Sequence, residues 1–343
     1  MSGEDIDSVA VLLETKNKVL SHGNYSPTLG RLHKLQRLRL QYSHCQRGLP
    51  VQLEVCPSLP GPPHHVDASR FWAVLIGIDG YTNYPLRGCI SDVRSMEKYL
   101  TEVLGVPSDR VQLLLGSTEH GPEDPLNPSR DHIIDALLSI ITNSQIAYGD
   151  NIIIYYSGHG SYYPYHMEEY DETTYIETLC PIDRDTLDAN GISREKGHRI
   201  TVILDCCHSG GVSRSLPEPE ARTSPPMMQA TLQDMLLTGE KYLRHYPGYR
   251  SILSKDWYPD MDSHVVLAAC KEYQFAKAMK VKQKDGEVEF VGIFTSSLLR
   301  ALRSGHWRKE TTYADLVDSL DKTTHQTPVV AGKHKAARLW YQE

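Results

Sequence analysis

Five short apolar runs limit what this chain can fold into more than any other feature: FWAVLIGID at 71–79, VQLLLG at 111–116, NIIIYY at 151–156, ITVILD at 200–205 and HVVLAAC at 264–270. Each has the length of one buried strand and is too short for an independent helix. Between the first two, Val93, Met96, Leu100 and Leu104 recur at helical spacing within 89–105. Between the next two, Ile133, Ile134, Leu137, Leu138 and Ile141 do the same. Strands alternating with amphipathic helices imply right-handed crossovers and a mostly parallel sheet covered on both faces. The expected fold class is α/β, a three-layer sandwich with helices on both faces of the central sheet. Ligands bind at the carboxyl ends of the strands in such sheets, so chemistry is expected there.

Residues 1–65 lack this pattern. Short apolar or basic stretches such as Val9–Leu13 and Leu32–Leu40 precede Pro57, Pro60, Pro62 and Pro63, which interrupt regular structure. They are read as an extension and linker, with the folded domain at 66–343. A formal net charge of −7 over 343 residues gives no general attraction to nucleic acid or anionic membrane and favours cationic partners. Seven cysteines without framework spacing, and no charged-then-apolar leader, point to reduced thiols in the cytoplasm or nucleus. No apolar run approaches the ~18 residues of a membrane span.

Two short motifs fall at strand ends. In Tyr155-Tyr-Ser-Gly-His-Gly160 a strand runs into a small-residue turn that presents His159 at the rim, and an imidazole titrating near neutrality suits a general base. In Asp205-Cys-Cys-His-Ser-Gly-Gly211 the next apolar strand runs into a cysteine pair. A lone histidine or buried cysteine is most often structural. Two glycine-flanked reactive clusters at corresponding ends of successive strands shift that balance. In an extended segment Asp205 and Cys207 share one side, and Cys206 and His208 the other. That alternation disfavours His208 as the partner of Cys207 and leaves His159.

The sequence resembles the caspase and metacaspase superfamily, peptidase family C14, where SGHG carries the catalytic histidine and D-x-C-H-S-G the cysteine. The resemblance runs from about Phe71 to the C-terminus through His264–Cys270, Gly292–Leu299 and Gln326-Thr-Pro328, and looks most like fungal caspase-domain proteins. It implies a caspase-like sandwich with a large-subunit-like part at 66–212, a linker at 213–257 and a small-subunit-like part at 258–343. It also implies a cysteine-type endopeptidase, with a role in regulated cell death or proteostasis. Cys207 would be the nucleophile and His159 the base, with the amides of Gly160 and Cys207 as oxyanion hole. Cys89, Asp92, Ser157 and Asp205 match metacaspase positions lining an acidic S1 pocket. Caspases proper carry an aspartate-binding arginine where Leu86 stands, and Arg87 should face the opposite side. A carboxylate at Asp205 beside a thiolate also calls for a positive group. Cleavage after Arg or Lys, and not Asp, is the expectation.

Zinc at His159, Cys206, Cys207 and His208 is not expected, because adjacent ligands fit a tetrahedral site poorly. No cofactor is required by this reading. Many metacaspases use calcium, and Glu177 matches one family position. Arg214, however, stands where a ligand aspartate belongs, so a strong calcium requirement is not expected. The segment 184–199 is shorter than the helix-bearing insertion usual in the family, which keeps a catalytically weak scaffold as the alternative function. Within 213–257, Arg214, Arg222, Arg244, Arg250 and Lys255 are candidate self-cleavage points, against the alternative of a solvated loop. The expected partners are peptides or proteins with a basic P1 residue, with no nucleic acid and no membrane, and a monomer is favoured over an obligate dimer.

Overall fold

The structure, a computed structural model, describes residues 66–119, 121, 123–167, 172–183, 199–207, 221–224, 237, 264–271, 274–282, 287–304, 310–323 and 326–342. The 1–65 extension, residues 184–198 and most of the 213–257 linker lie outside the described residues.

The chain enters at β1 (Phe71–Ile78), every residue of which is buried. It passes through α1 (Cys89–Lys98), extended by a wider turn over Tyr99–Leu104, to β2 (Val111–Gly116). Helix α2 (Arg130–Thr142) leads to β3 (Asn151–Ser157). A hairpin of β4 (Gly160–Met167) and β5 (Glu172–Leu179) follows, and then β6 (Ile200–Asp205) and β7 (His264–Ala268). A second hairpin, β8 (Ala278–Lys282) and β9 (Val288–Gly292), runs into α3 (Ile293–Arg303), α4 (Tyr313–Ser319) and β10 (Val329–Ala331). All five apolar runs form strands and both amphipathic stretches form helices.

The central sheet has the order β10-β7-β6-β3-β1-β2, parallel throughout except for β10, which pairs antiparallel with β7. Strand alternation sends Phe71, Ala73, Leu75, Ile153, Tyr155 and Ile203 to one face, where they meet Val93 and Met96 of α1, Phe294 and Leu298 of α3, and Leu316 of α4. Trp72, Val74, Ile76, Ile154 and Val202 face the other way, against Ala136 and Ile140 of α2. These are the three layers expected. Each buried aliphatic side chain contributes about 1.5–3 kcal/mol.

Both hairpins and the antiparallel edge strand went unread in the sequence. The residues of β8, β9 and β10 are mostly exposed or only partly buried, and β4 and β5 are rich in polar and tyrosine residues, so the apolar-run signal that betrays the central strands is absent. No helix among the described residues is long and apolar enough to cross a membrane.

Candidate active site

The register of β3 against β6 positions the two motifs. Ser157 pairs directly with Asp205, so His159 and Cys207 each lie two residues beyond a matched pair, at the same end of neighbouring parallel strands. Cys206 turns into the α2-side core and Cys207 into the opposite one, as the alternation requires. His208 lies outside the described residues.

His159 is buried at 1% exposure and held from several directions. Its Nε2 lies 2.6 Å from the carbonyl oxygen of Tyr84. Since a carbonyl only accepts, Nε2 carries the proton, and the neutral ring keeps its lone pair on Nδ1. The backbone amide of His159 donates to Tyr81 Oη at 3.0 Å, and Tyr156 Oη donates to its carbonyl at 2.7 Å. The Tyr81 ring lies against the imidazole with centroids 4.5 Å apart. Tyr84 sits at φ 59°, a left-handed conformation that non-glycine residues seldom adopt without a tertiary reason. The group orienting the imidazole is thus a main-chain carbonyl, which no side-chain motif could have announced.

Four residues selected from the sequence converge on a buried pocket beneath this rim, and a fifth residue fills it. The guanidinium of Arg222, wholly buried, places Nη2 2.6 Å from Asp92 Oδ2 and Nη1 2.9 Å from Asp205 Oδ1. Nη1 also donates to Ser157 Oγ at 2.8 Å, and Ser157 Oγ donates to Asp92 Oδ2 at 3.2 Å. Cys89 is buried beside them at the start of α1, and burial, opposed by Arg222, drives its thiol pKa upward.

Each carboxylate is held by backbone as well. Asp92 Oδ1 accepts from the Gly292 amide at 2.8 Å. Asp205 Oδ2 accepts from the Thr295 amide at 3.2 Å and from Thr295 Oγ1 at 2.6 Å, at the positive end of α3. Tyr155 Oη completes the chain by donating to Thr295 Oγ1 at 2.6 Å. Asp79, at the end of β1, caps α1 by accepting from the amides of Cys89 and Ile90, which fixes where Asp92 emerges.

Burial pushes the Asp92 carboxyl up to about 7, with Arg222 pulling it down and Asp205 pushing it further up. For Arg222, burial alone would lower the pKa, but the charges around it, Asp205 foremost, outweigh this and hold it raised. The guanidinium stays charged.

The backbone of Arg222 is as well placed as its side chain. Its carbonyl oxygen accepts from the amides of both Gly160 and Cys207, each at 3.1 Å, and its own amide donates to Ala276 O at 3.0 Å. These are the two amides assigned to the oxyanion hole. A Cβ at Gly160 would overlap the Cys207 carbonyl oxygen, so only glycine allows this approach. The Cys207 thiol donates to Ala276 O at 3.4 Å. Within the 213–257 segment, Ala221–Ser224 is therefore a strand-like insertion into the site, bridged to Lys277 on one side and Gly160 on the other.

Leu86 packs on the α2-side core and Arg87 lies over the Phe290 ring, so neither enters the pocket. No cluster of three metal-ligating side chains occurs among the described residues. The Glu177 side chain and Arg214 lie outside them.

Residues 72–215 match the family described as metacaspase, peptidase C14 domain. Metacaspase-4 of Arabidopsis thaliana is 34% identical over 150 residues, covering 41% of this chain and 34% of that protein. Metacaspase-1A of Aspergillus oryzae is 31% identical over 150 residues, covering 40% and 34%. The aligned region thus spans about a third of the length of these relatives. Caspase-1 of Spodoptera frugiperda, a solved structure, is 10% identical with a TM-score of 0.38, covering 81% of this chain and 92% of that one. Over residues 72–215, then, the chain is similar to the metacaspase peptidase C14 domain.

Proposed function

We propose that the chain is a cysteine endopeptidase that cleaves after arginine or lysine, held latent by its own Arg222. One observation carries this reading: a single residue has its cationic side chain between Asp92 and Asp205 and its carbonyl oxygen on the amides of Gly160 and Cys207. A substrate P1 residue would have to satisfy both conditions. The scissile bond is then Arg222–Thr223. Cys207 Sγ bonds to the Arg222 carbonyl carbon while the two amides stabilise the oxyanion. The thiol proton passes through His159 to the Thr223 nitrogen as the C–N bond breaks, and water, deprotonated by His159, hydrolyses the thioester. An aspartyl P1 residue would meet two buried carboxylates and be repelled.

A latent scaffold is the second reading, and the same insertion favours it, because a chain that never releases Arg222 keeps S1 filled. Incubating full-length chain and its Cys207→Ala variant separates the two. The endopeptidase reading expects wild-type fragments ending at Arg222 and none from the variant, together with turnover of arginyl and lysyl but not aspartyl peptides. Intact wild type that is inert toward all three peptides would leave the scaffold.

A further inference from the structure

The residues beyond Arg222 are seated as well, by the carbonyl of Gly160 and the side chain of Ser161, neither of which is part of the oxyanion hole. Thr223 forms a parallel bridge with Gly160. The amide of Ser224 donates to the Gly160 carbonyl at 3.1 Å, and the carbonyl of Ser224 accepts from Ser161 Oγ at 3.2 Å. Ser161 is itself 1% exposed and Ser224 8%, while Thr223 is half-buried. One edge of β4 pairs with β5 at this point. The other holds an incoming segment by main-chain hydrogen bonds, as an added strand is held at a sheet edge.

We infer that the first two residues of β4, Gly160 and Ser161, form a subsite for the second residue beyond the scissile bond. Gly160 O receives that residue's amide hydrogen, and Ser161 Oγ donates to its carbonyl. Both contacts are to main chain, so the subsite selects for the presence and extended geometry of a P2′ residue. The burial of Ser224 adds a preference for a small side chain there. Thr223, half-buried where Ser224 is buried, marks P1′ as the more permissive position. The inference rests on reading Arg222 as a P1 residue. Its consequence is that true substrates are polypeptides continuing past the cut, and that reporters ending in a small leaving group use only part of the site.

The test uses full-length chain carrying Arg222→Ala, which empties S1, with and without Ser161→Ala. One substrate is an arginyl coumarin amide, which has no P2′ residue. The other is an internally quenched peptide containing Arg-Thr-Ser, made also with N-methylserine at P2′. Loss of one hydrogen bond of this kind predicts that Ser161→Ala lowers kcat/KM for the quenched peptide about 5- to 10-fold, chiefly through KM. Coumarin amide turnover should stay unchanged, which also controls for folding. N-methylation should lower cleavage by the parent by a similar factor. Equal losses on both substrates, or no loss on the quenched peptide, would overturn the subsite.

Binding of the same peptides to chains that also carry Cys207→Ala, followed by fluorescence anisotropy, does not depend on turnover. If the parent cuts neither substrate but Ser161→Ala still weakens binding of the quenched peptide and not of the coumarin amide, the endopeptidase reading fails and the subsite stands. If Ser161→Ala leaves that binding unchanged, the subsite fails whatever the turnover.

Discussion

Replacing Gly292 by alanine tests the pocket at its tightest point. Gly292 has φ −64° and ψ 132°, a conformation open to any residue, so its requirement is steric and not conformational. A Cβ there would overlap Asp205 Oδ2 and lie 2.6 Å from Asp92 Oδ2 and 2.8 Å from Arg222 Nη1. It would stand between the two carboxylates and the guanidinium that they hold. For an added methyl to fit, the carboxylates must retreat or the guanidinium must leave. Two charge-assisted contacts to the arginine are then lengthened or lost, at about 1.5–3 kcal/mol each. With 1.4 kcal/mol per tenfold, the expected loss in kcat/KM for arginyl substrates is at least about 100-fold. Alkylation of Cys207 by iodoacetamide, which needs no S1 contact, supplies the control. Its rate in Gly292→Ala should equal or exceed that of wild type, since the variant also expels the self-inhibitory arginine. Unchanged arginyl kcat/KM in a variant that still folds would refute the assignment of this cavity as S1.

Arginine should be preferred to lysine by roughly 10-fold in kcat/KM, because two guanidinium nitrogens divide between Asp92 and the Asp205–Ser157 side, a span one ammonium does not bridge. Matched arginyl and lysyl peptides measure this. Asp92 faces Asp205 from β6, Cys89 from its own helix, Tyr155 and Ser157 from β3, and Arg222. With Arg222 replaced by alanine, the charge that pulls its pKa down is gone, so a carboxyl already at about 7 rises further. Since only the ionised form attracts a basic P1 side chain, kcat/KM for arginyl peptides in Arg222→Ala should climb as pH rises through and above about 7 and fall away below it. An Asp92→Asn version of the same chain should lack that limb of the profile. Tyr81→Phe removes the acceptor of the His159 amide and the donor to Cys180 O. Urea unfolding should show a loss of about 1–3 kcal/mol, with kcat reduced and KM for arginyl peptides little changed.

The five parallel strands of the central sheet were legible because they are largely buried and therefore read as continuous apolar runs. The two motifs were legible because glycine and reactive side chains sit together where those runs end. Asp92, Ser157 and Asp205 were nominated separately, and the structure brings them within contact of one guanidinium. Arg222 itself was one of five basic residues in a proline-interrupted segment, with no local property to set it apart from Arg214 or Arg244. Its placement follows from the tertiary shape of a pocket built by α1, β3, β6 and the β9–α3 junction, which no short window contains. The carbonyl of Tyr84 was invisible for another reason: a main-chain acceptor is common to every residue, and only the turn that aims it is special.

Ser157 opposite Asp205 also bears on how much the connection between the motifs can change. The β3–β6 ladder runs over six consecutive residue pairs, from Ile152 with Ile200 to Ser157 with Asp205. Any slip by one residue would exchange the faces of every side chain on the strand. The ladder acts as a vernier: the offset between imidazole and sulfur changes only in whole residue steps, each of which wrecks the core before it alters the chemistry. The pairing of β3 with β6, and not the connection between them, thus sets the relative position of the strand ends that carry the two motifs.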